Sequence, residues 1–367
     1  MNGDIILVIV IGTALAFDVT NGFHDTANVV ATAISTRAIA PKTAVAGAAL
    51  LNFAGAFISL KVATTVGKGF VDAQAITTTV VFAGLVGAIA WNIITWYFGL
   101  PSSSSHALIG GLVGAVATAS GLGAVNGGGL FDNLIVPAIA APIIAFVTAS
   151  VAILIVYRIV GRLRPGPTSR GFRLGQIASS GLLALSHGTN DAQKTMGVIT
   201  LALIAHGNIS ASSFHVPAWV VIASASAIAI GTFSGGWRII RTVGSRIVKM
   251  DAAQGFAAQG AGAAVILAAS SVGYPLSTTH VISGGIMGAG AGKRLSAVRW
   301  GVAGNIVAGW LVTLPAAAVF GGLVYEVSNL FGHSAVGPLV IIIVLLLALG
   351  AVFARRARQA ATVPAPQ

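Results

Sequence analysis

The amino-acid sequence predicts an all-α polytopic membrane protein built from two inverted-topology repeats, each with a broken helix and a re-entrant hairpin. Hydrophobic residues make up 56% of the 367 residues and charged ones only 8%, whereas soluble domains carry about a quarter charged residues. Apolar stretches of about 18 residues or more recur along the chain, long enough to cross a bilayer as helices. Blocks of sequence also return at a nearly constant offset. Gly22 and Asp25 match Gly188 and Asp191 at an offset of 166. Pro101, Ser103, His106, Gly110, Gly111 and Gly114 match Pro275, Ser277, His280, Gly284, Gly285 and Gly288 at 174, and Pro142 matches Pro315 at 173. Three collinear matches of this kind mark a duplication.

Taken in order, residues 4–36 form a long apolar stretch expected to break near Asn21-Gly22 and closed by Arg37, Pro41 and Lys42. Residues 43–62 and 76–98 read as spans. The polar run Pro101 to His106 then reads as the tip of a re-entrant hairpin, because polar backbone at membrane depth is tolerated only where it lines a cavity. A glycine-rich loop over 119–133 precedes a span at 134–157. The stretch 158–173 carries Arg158, Arg162, Arg164, Arg170 and Arg173 and reads as a basic cytoplasmic linker. The second half repeats the order: a long stretch at 174–205 broken at Ser186 to Asp191, a span at 216–236, a basic loop, an apolar run at 252–272, a second hairpin tip at Pro275 to His280, and a span at 300–325. The divisions are therefore a first repeat over 1–157, the linker, a second repeat over 174–326, and an extra C-terminal helix (336–354) with a cytoplasmic tail over 327–367.

Each half has three crossings and one hairpin, and an odd count inverts the second half. With the linker in the cytoplasm, Arg37, Lys42, the Arg238–Lys249 loop, Lys293, Arg294, Arg299 and the Arg355–Arg358 tail also fall inside, which accounts for 17 of the 20 basic residues. Lys61 and Lys68 fall outside and Lys194 lies within the membrane. This satisfies the positive-inside rule and places the protein in the cell membrane, multi-pass, with its N-terminus outside and its C-terminus cytoplasmic. Met1 to Val10 lacks a basic n-region and a small-residue cleavage site, so it reads as a retained first helix. The net charge of +12 reports topology rather than nucleic-acid binding, since no soluble basic domain is present to carry it. The absence of cysteine excludes disulfides and thiolate metal sites, and no cofactor is called for. Small-residue spacing leaves a homodimer open.

Chemistry concentrates where the apolar runs are interrupted. Asp25 and Asp191 are two of only eight acidic residues, and an ionisable residue inside a membrane segment is costly enough to suggest a function. Either could simply cap a helix, but two related buried carboxylates leave a charge that a coupling cation neutralises. Asn21, Asn28, Asn190 and Gln193 add neutral oxygens of the kind hard cations take. Ser102, Ser103, Ser104 and Ser105, and later Ser277, Thr278 and Thr279, follow a proline at what reads as a helix N-terminus. Hydroxyls there cap helices in most proteins. Paired from opposite sides, with the free N–H groups and the helix dipole, they suit a tetrahedral oxyanion. No Gly-Lys-Ser/Thr phosphate loop points to a nucleotide. His106 and His280 stand singly, which argues against a metal site. A serine–histidine hydrolase using Ser103 or Ser277 is disfavoured by the duplication and by the lack of a G-x-S-x-G elbow. His24 reads as a hydrogen-bonded core residue or a proton carrier, and Asp18 as a further buried acid one turn before the interruption.

At these residues the chain resembles the inorganic phosphate transporter family. That family's twice-repeated Gly-Ala-Asn-Asp-x-Ala-Asn signature stands here as Gly22-Phe23-His24-Asp25-Thr26-Ala27-Asn28 and Gly188-Thr189-Asn190-Asp191-Ala192-Gln193-Lys194. Asn21–Thr32, Trp91–Gly110, Ser186–Lys194 and Val272–His280 are particularly similar to its bacterial low-affinity members. The resemblance implies two hairpins around a site for inorganic phosphate, with symport driven by H⁺ or Na⁺. Phe23-His24 and Gln193-Lys194 depart from the pattern. Lys194 places a fixed positive charge where a Na⁺ ligand would stand and can also hold the anion. Proton coupling is expected, with phosphate entering alone or as a neutral metal–phosphate complex. Sulfate is the rival substrate among relatives, and a passive channel the rival mode.

Overall fold

The computed structural model describes residues 2–72, 75–160, 165–332 and 335–347. Inside a bilayer each backbone N–H and C=O must be satisfied within the chain, and an apolar run does so as a helix. The helices are α1 (Asn2–Ser35), α2 (Pro41–Gly55), α3 (Lys61–Lys68), α4 (Thr78–Phe98), α5 (Ser104–Ser120), α6 (Gly127–Leu130), α7 (Val136–Val160), α8 (Pro165–His206), α9 (Ala218–Ser234), α10 (Trp237–Arg241), α11 (Ala252–Val272), α12 (Thr278–Lys293) and α13 (Trp300–Asn329). A shorter α14 (Val336–Leu347) follows; the tail arginines Arg355, Arg356 and Arg358 lie outside the described residues. Among the described residues the β pairing consists of two isolated bridges, Val71–Val125 and Val248–Val298. Among the described residues, five spans are long and apolar enough to cross a membrane, α1, α4, α6 with α7, α11 and α13, and the bent pair of α9 with the α10 segment makes a sixth if it counts as one span.

Local chemistry sets the helix starts. Pro41 occupies the first turn of α2, where its missing N–H costs nothing. The Thr77 hydroxyl accepts from the Val80 N–H at 3.2 Å. Asp251 and Gln254 form a reciprocal capping box on α11. Gly99 and Gly273 close α4 and α11 in the left-handed conformation, at φ of 68° and 92°; both hairpin turns need a residue without a Cβ there.

The helix breaks do not fall where the sequence places them. α1 runs unbroken for 34 residues through Asn21–Asn28, and α8 for 42 residues through Ser186–Asp191. The interruption comes one helix later in each half. The expected span 43–62 ends at Gly55 and resumes as α3, while the expected span 216–236 is α9 turning by 59° into the α10 segment. Gly22 and Gly188 serve contact rather than bending. A Cβ on Gly22 would lie closer than 3.0 Å to the Ile228 carbonyl of α9, and one on Gly188 equally close to the Asn52 carbonyl of α2. Gly231 and Gly55 are bare for the same reason, toward Val19 and Leu185. Glycine here lets two backbones cross at close range.

Corresponding elements of the two halves make the same contacts, each with a helix of the opposite half. α1 packs on α9 and α8 on α2; α5 packs on α13 and α12 on α7. α1 and α8 lie side by side and antiparallel: Asp4 is 3.6 Å from His206 at one end, and Thr36 donates to Gln176 at 2.7 Å at the other. The buried apolar residues fall into two main clusters. One gathers Ile6 to Phe17 of α1 with Ala192 to Leu203 of α8, and the other Ala27 to Ala31 of α1 with Leu183 and Ala184 of α8. Between them lies a buried polar layer.

Candidate functional site

The polar layer is built by the middle of α1, the middle of α8, and the tips of the α4–α5 and α11–α12 hairpins. A polar side chain at this depth stays only if it finds partners, and these find one another. Asp25, 1% exposed, accepts from the Ser104 hydroxyl at 2.6 Å and lies 2.8 Å from His24 Nδ1 and 3.4 Å from Thr279 Oγ1. It thus touches both hairpin tips. Asn21 accepts from the same Ser104 hydroxyl at 2.7 Å, and its amide reaches Asp191 Oδ2 at 3.5 Å. Asn28 donates to Thr279 Oγ1 at 2.8 Å and Thr278 Oγ1 at 3.4 Å.

Asp191, 0% exposed, has a different surrounding. Lys194 Nζ stands 2.5 Å from its Oδ1, Asn190 donates to the same oxygen at 2.6 Å, and His187 Nε2 lies 3.1 Å from Oδ2. The Lys194 ammonium completes its shell with Ser105 Oγ at 2.5 Å and the Leu276 carbonyl at 2.7 Å. The buried Lys194 ammonium, held by these three oxygens, neutralises Asp191 from within the chain. The duplication persists in these contacts: His24 bonds Asp25 as Asn190 bonds Asp191, with Lys194 at the place of Asn28.

The tips themselves meet. Ser105 Oγ donates to the Leu276 carbonyl at 3.2 Å, and the His106 and His280 rings stack at 4.7 Å. Trp310 lies on the far face of His280 at 4.0 Å and donates to the Pro101 carbonyl at 3.2 Å. Ser103 and Ser277 each cap a hairpin helix, accepting from the His106 and His280 N–H groups at 3.1 and 3.3 Å. Ser103 is 2.6 Å from His106 Nδ1, within its own helical turn, while both site carboxylates are bonded elsewhere, so no triad is assembled.

Most of the residues singled out in the sequence therefore converge. Ser104, Ser105, Thr278, Thr279, Asn21, Asn28, Asn190, Asp25, Asp191 and Lys194 share one layer. Ser102 stands back from it, bonded to Thr95 at 2.8 Å and 3.3 Å from His24. Gln193 does not take part: its carbonyl oxygen accepts from the Val62 and Ala63 N–H groups at 2.9 and 3.2 Å, and its amide donates to Thr189 O. It caps α3, whose buried first-turn N–H groups need an acceptor where α2 has broken off. His187 was not singled out, although it precedes Asp191 by one turn on the same helix face. Its other nitrogen meets Asn52 at 3.2 Å, and Asn52 in turn donates to Thr232 at 2.7 Å. Asp25, His187 and Asp191 offer three ligand atoms within 4.8 Å, close enough to share one cation.

The arrangement thus joins anion-type donors on two helix N-termini to buried carboxylates on two antiparallel helices. A model of the phosphate transporter family matches residues 21–321. A protein named probable low-affinity inorganic phosphate transporter from Mycobacterium bovis is 52% identical over 327 residues, which cover 89% of this chain and 78% of that protein. Proteins of the same name from Rhizobium meliloti and Bacillus subtilis are 49% and 45% identical, over 97% and 98% of their lengths. A solved structure described as the sodium-dependent phosphate transporter superposes with a TM-score of 0.74 over 89% of this chain and 99% of its own, at 24% identity, and so shares the fold. With its buried hairpin tips, its repeated carboxylates and these relatives, the chain belongs to the phosphate transporter family and is a membrane protein rather than an enzyme.

Proposed function

We propose that this protein imports inorganic phosphate by cation symport and that the coupling cation is the proton. The observation that carries the coupling is Lys194. Its ammonium fills a shell of three oxygens against Asp191, at 2.5 to 2.7 Å, the place a Na⁺ would otherwise occupy. A fixed charge there repels a second cation. Phosphate is received by Ser104, Ser105, Thr278 and Thr279 with the N-termini of α5 and α12. Asp25 accepts the hydrogen bond that a protonated phosphate donates. Sulfate has no proton to give, and a buried acceptor left unpaired discriminates against it.

Alternating access follows from the duplication. The antiparallel lie of α1 and α8 supports an inverted pair of repeats, and each hairpin packs on a helix of the opposite half. One set can rock against the other around a midplane site, with the N-terminus outside and the C-terminus cytoplasmic. Na⁺ coupling is the second reading, favoured by the Asp25, His187 and Asp191 ligand atoms within 4.8 Å of one another.

The test is uptake of labelled phosphate into proteoliposomes, with pH and Na⁺ gradients imposed separately and sulfate as competitor. Accumulation driven by an inward proton gradient and indifferent to sulfate is the expected result. Uptake that requires Na⁺ overturns the coupling; sulfate transport without phosphate uptake overturns the substrate.

A further inference from the structure

We propose that Asp18 is the carboxyl group that takes up the coupling proton. The inference rests on the proton-coupled reading above and assigns its site. Asp18 lies on α1 one turn before Asn21 and is 0% exposed. Neither of its carboxylate oxygens has a hydrogen-bond partner among the described residues. Its fellows in the core are provided for. Asp25 is held by Ser104, His24 and Thr279. Asp191 is held by Lys194, His187 and Asn190. A buried carboxylate whose oxygens accept no hydrogen bond of ordinary length is costly to keep ionised in a membrane interior. It therefore needs a cation of its own, and the two other carboxylates do not.

The surroundings select the proton. The groups of α8 that act on Asp18 are the Thr195 hydroxyl, the Asp191 carboxylate and the Lys194 ammonium. Thr195 Oγ1 is itself buried and unpartnered, so it is free to accept from a protonated Asp18. A metal cation wants several oxygens held close together, whereas neither oxygen of Asp18 has a hydrogen-bond partner among the described residues and the Lys194 ammonium acting on it repels a second cation. Of the other helices packed on α1, α9 and α11 carry no titratable residue, α4 only the exposed Tyr97, and α2 only Lys42 in its first turn. α5 contributes His106, α12 His280 and Lys293, and α10 with the turn after it Arg238, Arg241 and Arg246. The step is a simple protonation: the carboxylate binds one H⁺ in the outward-open form and releases it in the inward-open form. Its nearness to Asp191 and Lys194 lets its charge bias the layer that holds the anion.

The duplication makes the assignment asymmetric, because the position of α8 that corresponds to Asp18 is Ala184. One carrier acid per chain is the consequence.

The test compares wild type with Asp18→Asn and Asp18→Glu in proteoliposomes. It reads the ratio of phosphate uptake with an inward proton gradient to uptake without one. The ratio is expected to fall to about one in Asp18→Asn and to recover in Asp18→Glu; a wild-type ratio in Asp18→Asn overturns the proposal. An infrared difference spectrum between alkaline and acidic buffer reads the acid directly. Its carboxylic-acid band should be present in wild type and missing in Asp18→Asn, and an undiminished band in the variant overturns the proposal. If Asp18→Asn does not fold, Thr195→Val keeps the acid and removes its acceptor, so the band should shift, and an unshifted band counts against the assignment. A wild-type protein that ignores the proton gradient overturns the proton-coupled reading itself, a failure distinct from loss of the ratio in the variant alone.

Discussion

Replacing Lys194 by asparagine restores to the second repeat the residue that stands at the corresponding place, Asn28, in the first. The substitution removes an ammonium 2.5 Å from Asp191 Oδ1 and 2.5 Å from Ser105 Oγ, at a site 1% exposed. Deleting one partner of a buried ion pair typically costs about 3–5 kcal/mol, because the other charge is left uncompensated. His187 at 3.1 Å and Asn190 at 2.6 Å remain to soften that loss, so about 3 kcal/mol is expected. The vacated shell of Asp191, Ser105 and the Leu276 carbonyl is then open to a monovalent cation. A cation present at about a hundredfold over its dissociation constant returns about 2.7 kcal/mol. Lys194→Asn should therefore unfold earlier than wild type in choline chloride and recover most of the difference in NaCl of equal ionic strength. Its phosphate uptake should become Na⁺-dependent. The assay is thermal unfolding of purified protein in the two salts, followed by uptake under separate gradients. A wild type that is itself stabilised by Na⁺, or a variant indifferent to it, refutes the view that Lys194 stands in for the cation.

Three further outcomes follow from the geometry. Gly231→Ala puts a Cβ closer than 3.0 Å to the Val19 carbonyl, and overpacking at a helix crossing should destabilise by about 1–3 kcal/mol; adding Gly22→Ala at the same crossing should cost less than the sum of the two singles, as measured by thermal unfolding. Gln193→Ala leaves the Val62 and Ala63 N–H groups without their acceptor, so stability should drop by about 1–3 kcal/mol while the coupling ion stays unchanged in the gradient assay. Asp25→Asn removes the acceptor shared by Ser104 and Thr279 across the two hairpin tips; it should lower phosphate uptake at least tenfold, as expected for loss of a charge-assisted hydrogen bond of about 1.5–3 kcal/mol, and retained uptake would remove Asp25 from the site.

Much of the buried polar layer was readable before any coordinates. The repeated Asp25 and Asp191 and the paired Ser/Thr runs stand out because polar residues are rare in apolar membrane segments and persist there only where they find partners. His187 and Thr195 did not, since one histidine or threonine on an apolar helix face looks the same whether it serves a site or fills a core. Gln193 misled for the opposite reason: it stands inside the motif, yet its amide turns to the start of α3. Gly22 and Gly188 also misled, because the absence of a Cβ permits a bend and a close crossing alike.

By itself the sequence determined that this is a helical membrane protein, that blocks of its sequence recur, and which carboxylates and hydroxyls interrupt its apolar runs. Those properties follow from composition and spacing, which local physics reads directly. Tertiary structure alone decided that the breaks lie between α2 and α3 and between α9 and α10, that Lys194 pairs with Asp191, and that Asp18 is buried with no hydrogen bond to its carboxylate oxygens among the described residues. Each of these depends on which side chain of a distant helix arrives within about 3 Å, the range over which a hydrogen bond is made or lost, and one-dimensional spacing does not contain that distance.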